Sequence, residues 1–149
     1  MKVEASRRLL APREDVWALL AEPYHLSDWW PGYTAIRPDR RGLAAGARWT
    51  VVRSMTAGLL RRPGGEGLIV IESVDPTLTV AWRDLEQHFR AEVAVASIGG
   101  ETDARVTLEA SWWRLLVEGL RGAPEQALAR LHALCQTADS LARERQNLG

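Results

Sequence analysis

The sequence predicts an α+β fold in which one antiparallel sheet carries a long C-terminal helix across its apolar face. Three observations lead there. The middle of the chain alternates apolar and polar residues at the period of a strand. The last part repeats apolar residues at the period of a helix, and the two kinds of segment are segregated rather than interleaved. Alternation with one covered and one wet face belongs to antiparallel sheets, whereas parallel sheets need strands apolar on both faces.

Met1 to Leu10 alternates loosely and then meets Pro12, which ends a strand and suits the first turn of a helix. From Arg13 to Ala21 the residues Val16, Trp17, Leu19 and Leu20 make an apolar stripe, with Glu14 and Asp15 at the positive N-terminal end. Pro23 stops that helix, and Tyr24 to Trp30 makes a second short one before Pro31-Gly32 breaks the chain. Strands are predicted over Tyr33–Arg37, Ala47–Met55, Gly67–Val74, Leu78–Leu85, Gln87–Ile98 and Ala104–Leu116. Turn-forming residues separate them: Pro38-Asp39, Gly42, Gly64-Gly65, Asp75-Pro76 and Gly99-Gly100. In the fifth, Phe89, Ala91, Val93 and Val95 oppose His88, Arg90 and Glu92; in the sixth, Val106, Leu108, Ala110 and Trp112 oppose Arg105, Thr107, Glu109 and Ser111. Pro124 opens a helix running to about Gln146. Its winding places Leu128, Leu131, Leu134, Cys135, Ala138, Leu141 and Ala142 on one broad stripe.

The 149 residues fit one domain, and 46% apolar with 26% charged residues exclude a disordered tail or a disulfide scaffold. Nineteen basic residues balance nineteen acidic ones, so no net field draws the chain to nucleic acid. The single Cys135 makes neither an internal disulfide nor a cysteine zinc site, and His25, His88 and His132 lack metal-ligand spacing. No cofactor or metal is expected. Charges in Met1 to Leu10 stand where a signal peptide needs an apolar stretch, and no run reaches transmembrane length, so a cytoplasmic protein, monomer or homodimer, is expected. Seven of the ten aromatic residues are tryptophans, which suit both cores and the walls of ligand pockets.

The segment APREDVWALLAEPYHLSDWWPG, through Pro12, Val16, Trp17, Leu20, Pro23, Leu26, Trp30 and Pro31, resembles the N-terminal part of the START/SRPBCC superfamily. That superfamily has the helix-grip fold and includes polyketide cyclase and dehydrase-like proteins and many ligand carriers. Gly46, ahead of an alternating strand, also fits. The resemblance implies a curved antiparallel sheet gripping the C-terminal helix, with an apolar cavity between them. It brings no universal catalytic residue, so any catalytic set is unknown at this level.

The small residues Cys135, Ala138 and Ala142 in the helix stripe independently suggest space, since a helix that only fills a core would more often carry Leu there. The expected walls are Trp30, Trp49, Val51, Trp82, Phe89, Trp112, Leu131 and Cys135, with Arg53 as the charge. Trp49, Val51 and Arg53 share one strand face. Turned inward, Arg53 can hold a carboxylate, phosphate or enolate; at a strand end it reaches solvent instead. Val80, Trp82 and Asp84 share another face, which makes Asp84 the candidate partner of Arg53. His25, just before Trp29-Trp30, is the histidine best placed at a pocket mouth. RRPGGEG at Arg61 to Gly67 lacks the ending of a phosphate loop and reads as a hairpin connection, with Leu59-Leu60 as an apolar tip.

The leading expectation is a small-molecule binding protein that holds an apolar or aromatic metabolite or lipid. A cofactor-independent enzyme of the cyclase or dehydrase kind is the second, with Arg53, Asp84 and His25 as its only acid–base set. The third is an interaction module of the Hsp90-activator homology type, which leads if side chains fill the expected cavity.

Overall fold

The alternating segments of the middle of the chain pair edge to edge into a single antiparallel sheet. A computed structural model describes residues 1–53, 55–57, 60–62, 65–117 and 119–148, and at 55–57, 60–62, 139, 140 and 142 it describes the backbone alone. The strands are β1 (Lys2–Leu9), β2 (Tyr33–Arg37), β3 (Arg48–Arg53), β4 (Met55–Ala57), β5 (Leu60–Arg62), β6 (Glu66–Asp75), β7 (Thr79–Asp84), β8 (Phe89–Ile98) and β9 (Glu101–Glu109). The helices are α1 (Arg13–Ala21), α2 (Leu26–Trp29), α3 (Trp112–Val117) and α4 (Ala123–Asn147). Seven strands form the sheet in the order β1-β9-β8-β7-β6-β3-β2, while β4 and β5 pair as a separate hairpin. Leu59, Pro63 and Gly64, on which the apolar tip and the glycine-rich connection were read, lie outside the described residues.

The alternation decides which face is covered. Phe89, Ala91, Val93 and Val95 of β8, and Ala104, Val106 and Leu108 of β9, are all buried, as the period-two pattern requires. Against this face α4 packs on β1 and β9, α1 on β8 and β9, and α2 on β2 and α4. Register shifts at Tyr33/Ala35 and at Ile71/Ser73 interrupt the ladders, a device that bends and twists strands. The result is a sheet closed on one side by helices around one core.

Two sequence expectations are corrected. The last strand does not continue to Leu116: the pairing of β1 with β9 ends where Met1 and Ala110 exchange backbone hydrogen bonds. The carbonyl of Ser111 then accepts from the N–H groups of Arg114 and Leu115, which starts α3. Trp112 therefore lies on a helix and is 65% exposed, outside the buried layer it was expected to wall. The stripe of α4 also ends early. Leu128, Leu131 and Cys135 are buried, whereas Ala138 and Leu141 are exposed because the helix has passed the core.

Candidate functional site

The strand registers bring Arg53, Asp84 and Tyr33 together. Tyr33 begins β2 and stands opposite Arg53 of β3, while Asp84 ends β7. Asp84 is fully buried and Arg53 only 5% exposed, so neither reaches solvent from its strand end. The Asp84 carboxylate accepts from four donors: the Tyr33 hydroxyl at 2.7 Å, Nη2 of Arg53, and the backbone N–H groups of Glu86 at 3.0 Å and Gln87 at 2.8 Å. Four donors saturate a carboxylate. The other arm of Arg53, Nη1, meets Glu86 Oε2 at 3.0 Å. Burial above all, then the Asp84 charge and its hydrogen bond, hold the Tyr33 hydroxyl well above the usual phenol range, with Arg53 and the nearby Trp82 N–H pulling weakly the other way. Tyr33 is therefore a proton donor at neutral pH.

The expected Arg53–Asp84 partnership is present, but its charge is spent internally. With two carboxylates on one guanidinium, Arg53 is compensated and is not an open anion site. Tyr33 was missed because the connection between β2 and β3 hides their register from a reading of the sequence, and Glu86 because it lies in the turn between β7 and β8, outside any alternating pattern.

Around this group sits an aromatic cluster. Trp30 lies stacked on Phe89 with centroids 5.8 Å apart and edge-on to Trp82 at 5.1 Å, and Trp29 meets Trp82 at 5.9 Å. Trp49 points its indole N–H to the Gly42 carbonyl at 2.9 Å and so anchors the loop before β3. Trp30, Trp49, Val51, Trp82, Phe89, Leu131 and Cys135 each expose 2% or less of their surface. These residues belong to the packed core, and among them only Cys135 also borders a recess described below. The indole N–H groups of Trp29 and Trp82 and the Nε–H of Arg53 are buried there without hydrogen-bond partners of ordinary geometry.

Open space borders α4 in two places. A recess of about 300 Å³ separates α4 from α1 and the end of β1, lined by Leu10, Ala11, Pro12, Asp15, Ala18, Leu19, His25, Cys135 and Ala138. Two of the small helix residues that suggested a cavity, Cys135 and Ala138, thus border one, facing α1 rather than the sheet. Burial first, and the Asp15 carboxylate second, push the Cys135 thiol above its ordinary range, so it is a neutral apolar wall and no nucleophile. His25 stands at the rim, its Nδ1 2.9 Å from Asp28 Oδ2. A wider groove of about 580 Å³ between β1 and the start of α4 is lined by Arg7, Glu125 and Gln126 among others, a more polar surface. His25 lines a recess in which Arg53 and Asp84 have no part, so the acid–base set read from the sequence does not converge. Among the described residues no group of three His, Cys, Asp or Glu side chains is placed to hold a metal, and no helix is long and apolar enough to cross a membrane.

Residues 1–136 match the family described as polyketide cyclase / dehydrase and lipid transport. The chain belongs to this family. No protein of curated function matches it by sequence. Solved structures share the fold of this polyketide cyclase/dehydrase family member at low identity. Protein NE0264 from Nitrosomonas europaea superposes with a TM-score of 0.71 at 18% identity, covering 94% of this chain and 97% of that one. Protein Ms6760 from Mycobacterium smegmatis gives 0.69 at 18% identity, covering 92% of each chain. An AHSA1-like protein from Aeromonas hydrophila gives 0.64 at 19% identity, covering 90% of this chain and 94% of that one. The helix-grip architecture expected from the N-terminal segment is thus shared with solved proteins across almost the whole chain.

Proposed function

We propose that this chain is a small-molecule binding protein whose ligand sits in the recess between α1 and α4. The observation that carries the reading is the recess itself: about 300 Å³, floored by Leu10, Ala11, Ala18, Leu19, Cys135 and Ala138, with two polar side chains at its edge. A mostly apolar concavity with a few placed polar groups is the usual form of a ligand site, and this volume is at the small end of the range. It suits a small aromatic molecule or a short amphiphile, in keeping with a family whose description includes lipid transport. In this reading the buried aromatic cluster and the Tyr33–Asp84–Arg53 group form the rigid layer behind the site, and Cys135 belongs to both. The test is uptake of a neutral apolar fluorophore such as Nile red. Ala138→Phe places a ring in the recess from an exposed helix position, so it should weaken uptake at least about tenfold while circular dichroism stays unchanged. Undiminished uptake by a folded Ala138→Phe variant would place the ligand elsewhere.

A second reading, the protein-interaction module, is favoured by α3, which exposes Trp112, Trp113, Leu116 and Val117 together. The two are separated by the same probe: a module whose apolar surface is α3 shows the same Nile red uptake with and without the Ala138 substitution.

A further inference from the structure

We infer that the α1–α4 recess selects apolar ligands carrying an ammonium or other cationic end, a refinement that rests on the ligand-binding reading above. The argument starts from what is absent among the lining residues. The chain carries nineteen Lys and Arg side chains, yet among the described residues none lines the recess. Its titratable lining groups are Asp15, His25 and Cys135.

Asp15 has no cation within ion-pair distance among the described residues, so its charge is available to a ligand. It sits in the first turn of α1, where the helix end offsets only about half a charge. Its field reaches the floor of the recess, where, after burial, it helps push the Cys135 thiol above its ordinary range. The other polar rim group, His25, is held against Asp28, so even when it carries a proton a carboxylate lies 2.9 Å away to compensate it. The guanidinium expected to receive an anion, Arg53, is buried and bound to Asp84 and Glu86. An apolar molecule entering here therefore meets uncompensated negative charge and no available cation.

The experiment uses three ligands with one ring system: naphthylmethylammonium, naphthylmethanol and naphthoate, titrated calorimetrically into the full chain at low and high salt. The expected order is ammonium tightest, alcohol next, carboxylate weakest. The ammonium advantage should be about two- to fivefold, as for an exposed ion pair, and shrink at high salt. Asp15→Asn should bring the ammonium down to the alcohol while the alcohol's affinity holds, and Glu14→Gln, on the same turn but outside the lining, should change neither. Naphthoate binding as tightly as the ammonium, or a preference that survives Asp15→Asn, would overturn the inference while leaving the recess as the site. Loss of all three ligands, the alcohol included, would instead overturn the ligand-binding reading and this inference with it.

Discussion

At the scale of single residues, the Tyr33–Asp84–Arg53 group shows how a buried charge pair can belong to the scaffold rather than to chemistry. Tyr33 and one arm of Arg53 both donate to the one carboxylate, and Asp84 also ties down the turn into β8 through the N–H groups of Glu86 and Gln87. Removing one partner of such a pair leaves a buried charge that the half-exposed Glu86 compensates incompletely. Asp84→Asn should therefore cost about 3–5 kcal/mol in urea unfolding, and Tyr33→Phe about 1.5–3 kcal/mol for a hydrogen bond to a charged acceptor. An Asp84→Asn variant as stable as the parent would remove the group from the scaffold. The raised Tyr33 hydroxyl also sets a pH dependence. Its folded pKa lies above the unfolded value of about 10, so the fold holds the extra proton. That contribution is complete below pH about 10 and is lost as pH rises from there toward the folded pKa. In a Tyr24→Phe background, which leaves Tyr33 as the sole tyrosine, tyrosinate absorbance should appear together with loss of the fold and not before it.

At the scale of elements, the legible parts were those where one periodicity had no rival. Strands β8 and β9 and the first half of α4 follow their patterns because each alternation or stripe meets an unbroken covering layer. Where two periods fit, the sequence could not choose. Trp112-Trp113 and the run Leu115-Leu116-Val117 continue a strand alternation as readily as they begin a helix, and tertiary context chose the helix. Trp49, Val51, Trp82 and Phe89 do lie on buried strand faces, but how much space such side chains leave depends on inter-element distances that no pattern contains. These placements make a paired prediction: Leu131→Ala should cost about 2–5 kcal/mol, whereas Trp112→Ala, a larger truncation on an exposed helix, should stay within about 0.5 kcal/mol. Equal costs would mean that α3 is covered in solution. Strand β6 adds a subtler case. A Cβ on Gly67 would lie 2.6 Å from Glu86 Oε2 and 2.9 Å from both terminal nitrogens of Arg53. Gly67→Ala must push a buried guanidinium aside, and should lose about 1–3 kcal/mol where an ordinary strand glycine would gain from the change.

At the scale of the whole molecule, α4 divides into two parts with different tasks. Its 25 residues span about 37 Å. From Ala123 to Cys135 it buries Ala127, Leu128, Leu131 and Cys135 against the core, and Cys135 with Ala138 then borders the recess. Beyond that, Leu141 and Leu148 are exposed. Every described side chain from Leu141 to Leu148 is exposed, and the intrinsic stability of a few helical turns without packing is marginal. Removing residues 142–149 should therefore leave the unfolding midpoint nearly unchanged, within about 0.5 kcal/mol, and should leave Nile red uptake intact because every lining residue remains. A larger loss of stability would show that the distal turns of α4 are covered in solution, by a second copy of the chain or by another partner. Intact stability with lost uptake would instead show that the distal helix closes the recess, which would enlarge the site beyond the lining described above.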